Sequence, residues 1–390
     1  MDADLIIVGG GPVGLATAIY AAHAGLTPLV FEKRSLPLDK ACGEGLMPPG
    51  VAALAEMGVA IDPSGQTPFL GIRYVDAEVV AEGRFEYGSG LGVRRTALVA
   101  GLLRRAQELG VSPRYGEAVS SWERLAGGRV LVTTSAGASV GRLLVAADGL
   151  LSPLRRAAGL EVSSARQRRF GVRRHFALSP WSDLVEVHWA TGAEAYVTPV
   201  GPRQIGVALL WSGRGANFAA LLTRFPELQK RLDGAPRLGA IRGAGPFPMR
   251  ASDCCSDRLA LVGDAAGFID PLTGEGLSLG FRSARALVRT IAAGRPLREY
   301  ARMQRRLGRN SRWITQILLA LARRPKLRRR TVRMLARNPD VFARALSINS
   351  GELPLQAIGL ARSVRAVWGV SVPRSACDAA SRRRRDPSRS

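Results

Sequence analysis

Cysteine, histidine and aromatic side chains are scarce in this chain. Four cysteines (Cys42, Cys254, Cys255 and Cys377) in 390 residues are too few for a disulfide framework. With only three histidines, no spacing of metal ligands emerges, and no metal is expected. No apolar run approaches the roughly 20 residues of a membrane span. The opening Met1-Asp2-Ala3-Asp4 places no basic segment ahead of an apolar stretch, so a secretory leader is not expected. Hydrophobic residues make up 46% of the chain, enough for a large core. These shortages together predict a cytoplasmic globular protein.

Acidic residues are the other shortage: 31 against 56 lysines and arginines, for a net charge of +25. From Arg302 to Arg337 there is no acidic residue at all, and the chain ends "SRRRRDPSRS". Basic runs without interleaved aromatics read bases poorly, so nucleic acid is not the expected partner. A solvated helix face accounts for most such runs. The sharper alternative is peripheral contact with an acidic membrane through the basic C-terminal region. The tail, 379–390, is expected to be disordered.

What is abundant is glycine, and it falls at the ends of apolar runs. "ADLIIVGGGPVGLATAIYAAHAGLTPLVFEKRS" reads as strand, tight turn, helix and strand, with Gly25 where the helix stops. Helices are predicted at "GVAALAEMG" and at "RTALVAGLLRRAQELG", and strands at "RVLVTTS" and "RLLVAAD". From Arg166 to Met249 the pattern changes to clustered strands ("FGVRRHFAL", "LVEVHWA", "EAYVTPV", "QIGVALLW"). An α/β pattern returns at "RLALVGDAAG", and the chain is mostly helical beyond Leu279.

Gly9-Gly10-Gly11-Pro12-Val13-Gly14 satisfies the dinucleotide fingerprint in its required setting, after a strand and opening a helix. Gly9 permits the tight turn, Gly11 lets backbone approach a pyrophosphate, and Gly14 lets helix pack on strand. Glu32, with Lys33 beside it, ends the next strand, where a carboxylate can accept from ribose hydroxyls. Asp148-Gly149 closes a later strand, and "LVGDAAGFIDPLTGEGLSLGF" places Gly263-Asp264, Gly274, Gly276 and Leu277 where a third strand meets a helix.

These three segments, in this order, resemble the para-hydroxybenzoate-hydroxylase-like superfamily of FAD-dependent oxidoreductases. The resemblance runs from Asp4 to about Leu335. It implies FAD as cofactor and NAD(P)H as a transient reductant without its own domain. Asp264 would then accept from a ribityl hydroxyl, and Gly276 and Leu277 would point amides at the flavin. Arg95 matches the arginine that meets the FAD phosphates, and Val119 the position that meets adenine. The implied fold is α/β: a Rossmann-like FAD-binding domain (1–165 and 250–295) interleaved with an antiparallel β-sheet substrate domain (166–249). A helical C-terminal region (296–378) follows.

Within the superfamily, "KACGEGLMPPG" looks like the loop of the geranylgeranyl reductase branch, which puts Cys42, Gly43 and Gly45 near the flavin. The halogenase motif W-x-W-x-I-P is missing. Two enzymatic readings stay open. One is an NAD(P)H- and O₂-dependent monooxygenase that hydroxylates an apolar aromatic, polyketide or lipid-like substrate through a flavin C4a-hydroperoxide; organisation and length favour it. The other is a C=C reductase of the geranylgeranyl reductase type, and a non-catalytic basic binding module is the remote third. Arg173, His175, His188 and Tyr196 lie in the expected substrate sheet, and none is assigned a catalytic role.

Overall fold

The computed structural model describes residues 3–162, 168–213 and 215–354. Cys377, the end of the expected helical region (355–378) and the basic tail lie outside the described residues.

The Ala3–Val8 strand has no polar face. Leu5 and Ile7 point into one apolar cluster and Ile6 into another, as a strand covered on both sides requires. All three are fully buried, each burial being worth about 1.5–3 kcal/mol. Around this strand forms an eight-stranded sheet whose centre is parallel. Val8 pairs with Ala146 on one side and Phe31 on the other, and Ala146 pairs with Leu261. Strands Ala3–Val8, Pro28–Glu32, Gly137–Ala146 and Leu259–Leu261 therefore end at one level. Every segment that leaves these ends begins along the same rim, where parallel sheets bind ligands.

Two helices pack tightly on one face of this sheet. Pro12–His23 starts with proline at its first position, and the chain turns away at Gly25, whose φ of +71° is left-handed. Gly276–Ala292 crosses it so closely that a Cβ on Gly280 would lie 2.5 Å from Val13 Cγ2.

The second sheet has seven strands, ordered 237–247, 169–176, 204–212, 193–201, 185–190, 71–76 and 79–84. Its last two strands correct the expected boundary at residue 165. The hairpin Gly71–Arg84 belongs to this sheet, because Val185–Ala190 pairs with Gly71–Asp76 in parallel. That pairing is non-local and has no signature in either strand. Helices Arg309–Ala322, Pro325–Arg337 and Pro339–Asn349 cover this end of the sheet, packing Val332, Leu335, Phe342 and Leu346 on Ile72, Val185, Val187 and Trp189. No described helix is long and apolar enough to cross a membrane.

One ion pair fastens those helices to the hairpin. Arg328 is buried, donates to both carboxylate oxygens of Asp76 at 2.9 and 3.0 Å, and stacks over the Trp189 ring. Removing one partner strands the other's charge, which costs about 3–5 kcal/mol. Chemical denaturation of Arg328→Met should show a loss of that size, and adding Asp76→Asn should recover a substantial part of it.

Candidate functional site

Three turns at the shared rim enclose one cavity of about 1210 Å³, larger than the roughly 300–1,000 Å³ typical of a pocket for one small molecule. Gly9, Gly11, Pro12 and Val13 line it, as do Glu32, Lys33, Arg95 and Val119. So do Cys42, Gly43, Gly45, Asp148, Gly149, Asp264, Gly274, Gly276 and Leu277. Gly14 and Gly263 do not line the cavity. A Cβ on Gly14 would lie 1.8 Å from the Gly9 carbonyl oxygen, so Gly14 lets helix meet strand. Gly263 has a φ of +59° and rests on Val13. Part of the glycine content of the late segment thus serves backbone shape and helix packing.

The turn at Gly9 is fixed by its neighbours. Gly9 has a φ of +114°, and a Cβ there would strike the Ala147 carbonyl at 2.3 Å. Glu32 accepts from the backbone amides of Gly10 at 2.9 Å and Arg34 at 3.0 Å, so the carboxylate also braces the turn. Gly11 is different: none of the described residues lies within 4 Å of where its Cβ would be, and Gly11 lines the cavity. Here the start of the Pro12–His23 helix presents its positive end, which suits phosphate.

The acidic residues are poised for hydroxyl donors. Asp148 Oδ2 accepts from the Leu154 amide at 3.2 Å, whereas Oδ1 is buried with no hydrogen-bond partner among the described residues. The Asp264 carboxylate makes no hydrogen bond to the described residues. Burial pushes its carboxyl up, while Lys40, Arg95 and Arg155 pull it down. Of the three cations Lys40 has the largest effect, and burial lowers the lysine's own pKa. An orphaned carboxylate oxygen, a second carboxylate free of protein donors and an open glycine at a helix start fit a dinucleotide with ribose and ribityl hydroxyls.

Sequence reasoning missed what holds the loops around this cavity. Arg169, Arg173 and His175 share one face of the Arg169–Phe176 strand by its two-residue period. Arg169 donates to Asp270 at 2.7 Å and Glu194 at 2.6 Å, and the Tyr196 hydroxyl donates to the Leu272 carbonyl at 3.2 Å; both contacts hold the loop before Gly274. Arg173 donates to Asp39 and to the Lys40 carbonyl, and Thr198 donates to the Gly43 carbonyl at 2.8 Å. Because guanidinium only donates, His175 Nδ1 accepts from Arg173 at 2.9 Å. The ring proton then sits on Nε2 and is given to Glu44 at 2.5 Å. Glu44, in a left-handed conformation at φ +59°, also accepts from the Arg95 amide at 2.9 Å. A positive-φ glutamate flanked by Gly43 and Gly45 has no sequence signature. His188 bonds to Glu186 at 2.9 Å and does not line the cavity.

At the start of the Gly276–Ala292 helix, Glu275 is buried and burial pushes its carboxyl up to about 8. At neutral pH it is mainly protonated, leaving the helix's positive end unopposed at the cavity. The folded protein then holds a proton that the unfolded chain releases near its ordinary value of 4.5. Stability from this group is complete below about 4.5 and is lost as pH rises to about 8. Melting temperatures from pH 5 to 9 should therefore fall more steeply for the parent than for Glu275→Gln. The Asp264→Ala variant, titrated as apoprotein with FAD, should bind about 10- to 150-fold more weakly, the equivalent of a charge-assisted hydrogen bond of about 1.5–3 kcal/mol.

Comparison with known proteins agrees with this architecture. Residues 2–205 match the family model described as FAD binding domain. A menaquinone reductase of Mycobacterium tuberculosis is 30% identical over 308 residues, spanning 73% of this chain and 75% of that protein. A digeranylgeranylglycerophospholipid reductase of Methanoculleus marisnigri is 26% identical (75% and 78% of the two chains). A para-nitrophenol 4-monooxygenase of a Pseudomonas species is 28% identical (74% and 77%). Among solved structures, a flavoprotein/dehydrogenase from Cytophaga hutchinsonii superposes with a TM-score of 0.78 at 18% identity, covering 93% of this chain and 96% of the other. With the family model covering more than half of its length, the chain belongs to the FAD-binding domain family and is an FAD-dependent oxidoreductase.

Proposed function

We propose that this oxidoreductase reduces a carbon–carbon double bond in a long apolar, isoprenoid-type substrate. The observation that carries the proposal is the apolar part of the cavity's lining. It comprises Phe69, Ile72, Val187, Leu318, Leu335 and Phe342, from two strands of the second sheet, the short strand at Gln66–Phe69 and the C-terminal helices. This lining offers an extended apolar chain dispersion contacts and exclusion of water, and gives little to a compact polar phenol.

Acid–base chemistry points the same way. Aromatic hydroxylation gains from a base that draws the proton off the substrate hydroxyl. Both ring nitrogens of His175 are engaged by Arg173 and Glu44. The Tyr196 hydroxyl is committed to Leu272, and burial raises its pKa well above the ordinary value. FAD, when bound, supplies two-electron redox chemistry. The protein's part is to enclose the alkene, to order the Lys40–Gly45 loop through Arg173, Glu44 and Thr198, and to keep the helix start at Gly276 aimed into the cavity. Two relatives are reductases named for menaquinone and for a digeranylgeranyl phospholipid, both bearing isoprenoid chains. The similarity to a nitrophenol monooxygenase keeps hydroxylation, favoured by the sequence alone, as the second reading.

Anaerobic incubation of the FAD-loaded protein with NADH, NADPH or dithionite, against menaquinone and geranylgeranyl lipids, separates the two. The expected product forms without oxygen and, after any quinol is re-oxidised in air, still carries two extra hydrogens on its isoprenoid chain. Substrate-stimulated oxygen uptake giving a product heavier by one oxygen atom, with no anaerobic turnover, would overturn the reductase reading.

A further inference from the structure

The Arg309–Ala322 helix does two jobs. Ile314, Leu318 and Leu321 face the cavity, as expected of a wall. Trp313 and Ile317 also line the cavity, yet are 45% and 39% exposed. The wall is therefore also the rim of a mouth, and the rim is apolar.

The outer stripe of this helix follows the 3.6-residue period: Arg309, Arg312, Trp313, Gln316, Ile317 and Ala320 are all exposed. Arginine begins it, two apolar side chains occupy its middle, and the exposed Arg323 and Arg324 follow its end. Leu327, 42% exposed, continues the apolar surface into the next helix. No acidic residue lies between Arg302 and Arg337, so the helix stripe itself carries one sign of charge. Of the arginines here, Arg328 turns inward to Asp76 and leaves the others to the surface.

We infer that this face docks on an anionic lipid bilayer and that the mouth between Trp313 and Ile317 receives the substrate's apolar chain directly from it. Tryptophan and isoleucine between arginines form the pattern of a helix lying in the membrane interface, apolar side chains in the acyl boundary and cations at the headgroups. A polyanion in water would use the arginines and leave the apolar pair without a partner. The path of the substrate rests on the proposed reductase reading. A chain so apolar resides in the bilayer, and a mouth opening on the bilayer spares it passage through water.

The full-length, FAD-loaded protein should co-sediment with vesicles of phosphatidylcholine mixed with phosphatidylglycerol, and much less with phosphatidylcholine alone. High salt should weaken that binding. These vesicles contain no isoprenoid, so the result is independent of whether the enzyme reduces or hydroxylates. Trp313→Ser with Ile317→Ser should lower vesicle binding about tenfold or more, as should Arg309→Gln with Arg323→Gln and Arg324→Gln. Should the apolar pair prove necessary for folding, as read by melting and FAD content, the arginine variant decides alone. Three results would overturn the inference: no binding to anionic vesicles, heparin binding in its place, or binding that survives the helix variants but disappears when Arg382–Arg385 are changed to glutamine.

Discussion

Two buried guanidiniums on one strand face organise the site. Arg169 and Arg173 stand four residues apart with Gly171 between them, where a Cβ would lie 2.8 Å from Leu210 Cδ2. Each reaches out of the second sheet to a loop of the cavity: Arg169 to Asp270, Arg173 to Asp39 and Lys40. Taking a guanidinium out of water costs several kcal/mol, and only well-made pairs offset that. Arg169 faces two carboxylates, and burial together with Glu194 pushes Asp270 up to about 6 despite the arginine. A pair so finely balanced adds little net stability. What it supplies is position: the two sheets cannot shift past one another without leaving charges unpaired in a dry interior.

That arrangement explains how a cavity larger than an ordinary pocket stays open. The rim of the parallel sheet fixes one wall through the strand ends Val8, Ala146 and Leu261. The facing wall belongs to a sheet assembled from residues as distant as Ile72 and Leu210. Between them lie loops rich in glycine, which have little packing of their own. The polar ties from Arg169, Arg173, His175, Tyr196 and Thr198 take the place of that packing. Glu44 shows the constraint most sharply. A non-glycine residue at positive φ is held by His175 on one oxygen and by the Arg95 amide on the other, and Gly206 leaves space beside it.

Legibility in the sequence followed the range of the interactions. The turn at Gly9 could be read because its strand, glycines, proline and helix are contiguous, and each has a local physical reason. The convergence of Asp148 and Asp264 on that turn could be read through the order of three motifs, and the strand register supplies the reason. The place of hairpin Gly71–Arg84 could not be read, since pairing with Val185–Ala190 spans more than a hundred residues. Nor could the role of Gly263 be separated from those of Gly274 and Gly276 by residue type alone, whereas Gly14 was legible from its place in the fingerprint. A missing side chain looks identical whether a ligand or Val13 occupies the space. The ties through Arg173 and His175 were equally hidden, because an arginine within a strand of a chain this basic carries no distinguishing mark.

The excess of arginine has two physical uses, and separating them clarifies the molecule. Arg155, Arg169, Arg173 and Arg328 are buried, each against a carboxylate, and act as multi-donor ties between distant segments. Lysine would serve poorly there, since its ammonium makes no planar fork and is more strongly hydrated. The surface arginines of the C-terminal helices have few acidic partners in sequence, and their mutual repulsion, screened by water and salt, falls further where an anionic phase lies opposite. The same helices provide the apolar wall of the cavity. A positive outer face, an apolar inner face and a rim where the two meet at Trp313 therefore follow from one helical period applied to one short stretch of sequence.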